Sequence, residues 1–380
     1  MAQPIYLDYA AATPLSEQAL KAMQPYFSAA FYNPSAGYIA AFEVRAAVDG
    51  ARSKVAHWLG SRSSEIIFTA GGTEANNLAI HGIMQRFPKA NIVTSSIEHE
   101  SVLLTASQYE HRQVKVNPDG TLDIKDLERK IDEQTVLVSI MYANNEIGVI
   151  QPIREIAKII NKKRQDRKSV EMPLYFHTDA CQAANYLDLH VSRMGVDMMT
   201  LNGGKIYGPK QSGALYVKSG LVLEPLLHGG GQERGLRSGT ENVAATIGFA
   251  TALEQVQTMR HQEVERLQKL QTEFIQQVQQ FIPEAIINGS LKSRLPNNIH
   301  LTIPGYDNER LLIMLDEAGV QAAAGSACSA SDEEPSHVLK ALGLSDIEAQ
   351  ASLRFTTGRA TTILMVKTAV KTLAETLKKH

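Results

Sequence analysis

Short apolar runs alternate with longer stretches of helical periodicity through most of the chain. Residues 65–69 (Glu-Ile-Ile-Phe-Thr) predict a buried strand, and 74–83 predict a helix directly after it. Further strands are predicted at 91–95, at 135–141 where β-branched residues dominate, and at 174–177, 196–201 and 213–217. A helix with proline at its start is predicted over 152–163. Strands separated by helical patterns imply βαβ units and a mostly parallel sheet. A glycine-rich stretch, 228–235, precedes a long helical pattern from Glu241 to Phe281, whose apolar positions Leu253, Val256, Met259, Val264, Leu267, Leu270 and Phe274 fall on one face. Beyond it the pattern predicts a smaller α+β unit. Its strands are at 298–303, 320–323 and 353–356, and its helices at 308–318, 335–342 and from Thr362 onward. The expected architecture is therefore α/β, a large domain with a mixed, mostly parallel sheet (14–255) and a smaller α+β domain made by 1–13 with 256–380.

The chain has 380 residues, 44% hydrophobic and 21% charged, which is ordinary globular composition and excludes a fibrous or wholly disordered protein. Lys and Arg total 38 against 40 Asp and Glu, a formal charge of −2. That balance argues against direct nucleic-acid binding, which draws on an excess of basic charge. No apolar run approaches the roughly 18–20 residues of a membrane span, and residues 1–8 show no secretory signal pattern. Two cysteines, Cys181 and Cys328, make no disulfide framework, so a reducing cytoplasm is the expected compartment.

In open α/β sheets ligands sit beyond the carboxyl ends of the strands, so polar residues just past each strand are the ones to collect. Ala70-Gly71-Gly72-Thr73 ends one strand and opens a helix. It reads either as an anion cradle, with backbone N–H groups, helix dipole and the Thr73 hydroxyl, or as a tight turn capped by Thr73. It is neither a dinucleotide fingerprint nor a Walker loop. In His177-Thr178-Asp179-Ala180-Cys181-Gln182 the aspartate is placed to pair with a protonated heterocyclic nitrogen. The rivals are a metal site from His177, Asp179 and Cys181, or a simple cap. No second ligand cluster accompanies them, and no metal is expected. Lys205, in Asn202-Gly203-Gly204-Lys205, is a lysine among small residues past a buried strand, the setting that lowers an amine pKa for Schiff-base chemistry, unless it is only a basic turn. Cys328 lies in a loop of small residues, suited to a nucleophile that must travel. His99 stacks on an aromatic cofactor or caps the next helix, and Arg354 is a solvated charge or a fork for a carboxylate.

Taken in order, these motifs resemble those of the cysteine desulfurases of the NifS/IscS group, class V aminotransferase-family enzymes that use pyridoxal 5'-phosphate on the aspartate-aminotransferase fold. The resemblance runs from Tyr6-Leu7-Asp8-Tyr9 through Asn33-Pro34-Ser35, Glu98-His99, Asn144-Asn145-Glu146-Ile147-Gly148, His177–Gln182, Lys205–Lys210, Arg237-Ser238-Gly239-Thr240 and Gly325–Cys328 to Arg354–Arg359. It implies that Lys205 holds pyridoxal phosphate covalently, Asp179 keeps the ring nitrogen protonated, and His99 stacks on the ring and moves protons. Asn144 and Gln182 would face the ring's phenolic oxygen. Gly72 and Thr73 would hold the phosphate, with Thr240 added from the second subunit of a homodimer. Arg354 would bind the substrate carboxylate, with Asn33 in the matching substrate-side loop. The implied reaction converts L-cysteine to L-alanine and leaves the sulfur on Cys328 as a persulfide, for an iron–sulfur scaffold or another sulfur acceptor.

Two departures qualify the match. The family usually carries Ser-Gly-His before the lysine, whereas this chain has Asn202-Gly203-Gly204, so weaker cofactor retention or a compensating contact from Asn202 is expected. Tyr38 stands where many relatives have histidine. The alternatives are a selenocysteine or cystine lyase of the same fold, and an impaired relative serving as a scaffold.

Overall fold

A computed structural model describes residues 4–167, 172–325 and 335–378. Its centre is a seven-stranded sheet built from β2 (Ile66–Thr69), β3 (Asn91–Ser95), β4 (Glu110–Val114), β5 (Thr135–Ser139), β6 (Tyr175–Asp179), β7 (Met198–Asn202) and β8 (Gly213–Val217). Before it comes the short β1 (Ile5–Tyr6). After it come β9 (Ile286–Ile287), β10 (Asn298–Thr302), β11 (Val320–Gln321) and β12 (Ser352–Thr356).

The large sheet has the order β2-β8-β7-β6-β5-β3-β4. All neighbours from β7 to β4 pair in parallel, and β8 runs antiparallel to both β7 and β2. Six strands therefore point one way, and the carboxyl ends of β2, β3, β5, β6 and β7 share one edge. Thr-Val-Leu-Val-Ser of β5 is buried at every position, as expected for a strand covered by helices on both faces. Register in β6 is tied by polar contacts inside the sheet. The ring nitrogens of His177 meet Ser139 Oγ at 2.8 Å and Thr200 Oγ1 at 3.0 Å, and burial pushes the imidazole down to about 4. With both nitrogens engaged, His177 is a structural histidine.

The remaining strands form an antiparallel sheet, β12-β10-β9, and a parallel pair, β1-β11. The Val243–Phe281 helix runs unbroken for 39 residues and joins the two regions. Near its far end Phe274 lies 5.1 Å, ring to ring, from Phe355 of β12, and both are fully buried. One buried apolar cluster extends from Leu7 through the large sheet to Leu377.

The expected helices and strands are present with small shifts: 65 belongs to a 3-10 turn rather than β2, and β5 ends at Ser139. Several elements were not legible, β1, β9 and the Glu17–Met23 and Ile124–Lys130 helices among them, and three others show the reasons. The Ile39–Leu59 helix buries Ala41, Ala51 and Ala56 as much as Val44, Val48 and Val55, so its apolar face is diluted by small residues. β4 reads Glu-His-Arg-Gln-Val, and only Val114 is buried. The Glu100–Ala106 helix is one of the shortest and depends on its His99 cap.

The glycine-rich stretch is pinned to β2 by one buried ion pair. Arg52 donates through both terminal nitrogens to Glu233 at 2.7 Å, and Glu233 also accepts the Phe68 N–H at 2.9 Å. Removing one member of such a pair strands the other charge. Glu233→Ala is expected to destabilise the protein by about 3–5 kcal/mol, read as a lower urea midpoint with an unchanged slope.

Candidate active site

The carboxyl edge of the sheet opens into two connected cavities, of about 690 and 170 Å³, which share Ala11, Gly72, Thr73, Asn202 and Lys205 in their walls. Lys205 closes a 3-10 turn that follows β7 without a break. Asn202 caps that turn by accepting the Gly204 N–H at 3.0 Å. The Lys205 ammonium is half-buried and donates to the carbonyls of Ala10 at 2.9 Å and Ala11 at 2.6 Å. Gln182 Nε2 donates to the same Ala10 carbonyl at 3.0 Å. The amino-terminal segment thus forms a wall of the site, aimed by backbone oxygens that no side-chain motif announces.

Asp179 ends β6, is 7% exposed, and faces the smaller cavity. Its Oδ1 accepts the Cys181 N–H at 2.9 Å and its Oδ2 accepts Asn76 Nδ2 at 2.7 Å. His99 follows β3 and caps the Glu100–Ala106 helix, its Nδ1 accepting the Ser101 N–H at 3.1 Å. His99 is thus the helix cap, and the capping ring also lines the smaller cavity. Cys181 is buried beside Asp179. Burial, then the Asp179 charge, pushes its thiol well above the usual range, so it is no nucleophile.

The larger cavity is electropositive at the start of the Gly72–Met84 helix. Gly71 has φ +148, a conformation that favours glycine. A Cβ on Gly72 would stand 2.8 Å from Cys181 Sγ, so only glycine lets the backbone close over this corner. The first N–H groups of a helix have no partner within it, and they face a wall that also holds Lys210 and Arg237. Arg237 is oriented by Glu74, at 3.0 Å. This is a cradle for a phosphate-sized anion.

Arg354 of β12 enters from the smaller sheet and is 1% exposed. It donates to Asp8 at 2.7 Å and to the Asn145 carbonyl at 3.0 Å. Its Nε is buried with no acceptor among the described residues, a donor suited to a carboxylate entering the cavity. Two buried carboxyls lie behind this wall. Burial pushes Glu98 up to about 8 and Glu146 up to about 7.

The sequence-predicted residues Lys205, Asp179, His99, Gly72, Thr73, Gln182, Asn202 and Arg354 all line these cavities. Asn144 does not. It is fully buried, with Oδ1 accepting the N–H groups of Glu146 and Ile147 and Nδ2 donating to Ile97, and Asn145 lines the cavity beside it. Thr240 is exposed in a neighbouring groove, and Asn33 is exposed in a turn where its Oδ1 accepts the Ser35 N–H. Cys328 lies outside the described residues. Sequence reasoning passed over Asn76, Ser101 and Asn145; only Asn76, one helical turn after the Gly-Gly-Thr motif, carried a usable signal of spacing.

The aminotransferase class-V family model matches residues 5–367. The chain belongs to the aminotransferase class-V family. One class-V relative, the cysteine desulfurase IscS of Dictyoglomus turgidum, is 42% identical over 369 residues, covering 95% of this chain and 91% of that protein. A solved NifS-like protein superposes with a TM-score of 0.92 at 30% identity, covering all of both chains. A structure of SspA in complex with cysteine superposes with a TM-score of 0.80 at 35% identity, over 92% of this chain and 98% of that one. The α/β architecture expected from the sequence is the one these class-V structures share.

The Glu98 carboxyl accepts from Ser95 and from the Met141 N–H, and its second oxygen has no partner among the described residues. Native Glu98 holds its proton to about pH 8, whereas an unfolded glutamate releases it near 4.5. The native state thus binds more protons across that window, and stability falls as pH rises through it. Glu98→Gln is expected to gain stability over the wild type by at most about 1.4 kcal/mol per pH unit between roughly pH 5 and 8. Urea titrations of both proteins at several pH values check this; parallel profiles contradict it.

Proposed function

We propose that the protein is a pyridoxal-phosphate-dependent cysteine desulfurase. It converts L-cysteine to L-alanine and passes the sulfur through a persulfide on Cys328 to an iron–sulfur scaffold or another sulfur-accepting protein. The observation that carries the reading is the convergence of Lys205, Asp179 and the Gly72–Thr73 cradle on connected cavities, with Arg354 closing one of them. An amine, a carboxylate and an anion cradle match the aldehyde, ring nitrogen and phosphate of that cofactor. The curated cysteine desulfurase relatives support the same substrate and reaction.

When bound, pyridoxal phosphate supplies an aldehyde for imine exchange and a ring that withdraws electrons from the bonds of the substrate's amino acid carbon. Lys205 would hold the group at the end of β7, and its amine could carry the α-proton of the substrate. Asp179 would hold a proton at the ring nitrogen. His99 would line the same wall and move protons at the reacting atoms, and Gln182 and Asn202 would complete the polar wall. Arg354 orients the substrate carboxylate. The Cys328 thiolate attacks the substrate sulfur: the S–S bond forms, the Cβ–S bond breaks, and a proton on the released carbon completes alanine.

In this reading residues 14–255 bind the cofactor, and 1–13 with 256–380 carry Arg354 and Cys328. The positions of the two smaller sheets support that division. A homodimer is part of the reading, with Thr240 serving the partner's site and Asn33 in the substrate-side loop. Exposed Phe27, Phe31, Tyr38, Ile39 and Phe42 around that loop support an interface there. The two-cysteine composition supports a reducing cytoplasm. No helix among the described residues is long and apolar enough to cross a membrane.

Purified protein supplied with pyridoxal phosphate is expected to turn yellow and to release alanine and sulfide from L-cysteine with a thiol reductant. Cys328→Ala should lose sulfide release while keeping the colour; full activity in that variant would sink the persulfide route. Gly204 offers a second test. A Cβ there would meet its nearest atoms at 3.5 and 3.6 Å, ordinary contact, so a larger side chain can be seated. Gly204→His is expected to tighten cofactor retention roughly tenfold, measured as Kd by dialysis and absorbance.

A further inference from the structure

Asn76 sits one turn into the Gly72–Met84 helix and is 1% exposed. Its amide nitrogen donates twice, to Asp179 Oδ2 at 2.7 Å and to Ser101 Oγ at 2.9 Å. The orientation of the amide is fixed by chemistry, because the carboxylate of Asp179 accepts and cannot donate. The Asn76 oxygen is buried with no partner among the described residues, and the side chain's bonds there are its two donations.

The second donation starts a chain with one direction. Ser101 Oγ accepts from Asn76 and lies 2.9 Å from His99 Nδ1, which also accepts the Ser101 N–H at 3.1 Å. A backbone N–H cannot reverse its role, so Nδ1 is an acceptor and the neutral ring carries its hydrogen on Nε2. Asp179 ends β6 and His99 caps the helix after β3; both line the same cavity, and Asn76 and Ser101 link them in this chain of bonds.

We propose that Asn76 is a positioning residue that couples Asp179 to His99 through Ser101. It holds the carboxylate and the Ser101 hydroxyl that faces His99 Nδ1 as one unit around the cofactor ring. The coupling rests on the cofactor placement proposed above for its consequence in turnover, but not for its existence, which belongs to the protein alone.

The test uses the full chain, with and without pyridoxal phosphate, carrying ¹⁵N-labelled histidine, with the His99 signals assigned through His99→Gln. Asn76→Leu keeps the γ-branched shape and removes both donors; Ser101→Ala removes the middle link. Without cofactor, Asn76→Leu is expected to shift the His99 Nδ1 resonance although it does not touch the ring. Ser101→Ala should shift the same signal, and the double variant should add little to Ser101→Ala alone. With cofactor, Asn76→Leu should lower kcat roughly tenfold and move the pH midpoint of the visible band, leaving KM for cysteine within about twofold.

Unchanged His99 signals in Asn76→Leu, or fully additive shifts in the double variant, would overturn the coupling. If Asn76→Leu does not fold, an unshifted His99 in Ser101→Ala overturns it equally. Wild-type protein that takes up no pyridoxal phosphate would count against the cofactor reading, while the signals of the cofactor-free protein still decide the coupling.

Discussion

The site is organised by where one ammonium group is held. Lys205 stands at the carboxyl end of β7, and the carbonyls of Ala10 and Ala11 reach it from the amino-terminal segment. That segment is itself fixed by β1 pairing with β11 and by Asp8 bridging to Thr356 of β12. The hydrogen bonds on Lys205 therefore join the large sheet to the smaller ones. The same joint brings Arg354 against Asp8 at the mouth of the cavity. The Lys205 amine and the Arg354 guanidinium are thus both held against one short amino-terminal segment.

Around that joint the sheet does the sorting. With six strands aligned, the residues just past β2, β3, β5, β6 and β7 arrive at one edge, each with a different function: an anion cradle, an imidazole, a backbone carbonyl for Arg354, a carboxylate and the amine. The polar groups that are not exposed to ligand are spent inside the protein. His177 ties β6 to its neighbours, and burial holds its ring at low basicity. Glu98 and Glu146 are buried with raised carboxyl pKa values, which lowers the fixed negative charge behind the site near neutral pH.

Much of this was legible in the sequence because parallel strands buried on both faces leave near-continuous apolar runs, and the chemistry follows directly after each run. Lys205, Asp179, His99 and Gly72–Thr73 were all found that way. What stayed hidden had physical reasons. The Ile39–Leu59 helix hides its face in alanines, and β4 is mostly solvent-exposed. The Ala10 and Ala11 carbonyls are backbone groups, and no residue type announces a carbonyl. Asn144 and Asn145 are adjacent and chemically identical; only the turn that consumes Asn144 decides which one faces the cavity. Asn76 was read past because an asparagine in a helix looks like a surface residue until its partners are known.

Lys205 and Lys210 both line the larger cavity, so the attachment point is the most direct question to put to the protein. The measurement is borohydride reduction of the protein loaded with pyridoxal phosphate, followed by proteolysis and mass spectrometry of the peptides. The account predicts a single pyridoxyl adduct, on Lys205. An adduct on Lys210, or none on a protein that has taken up the cofactor, would contradict it.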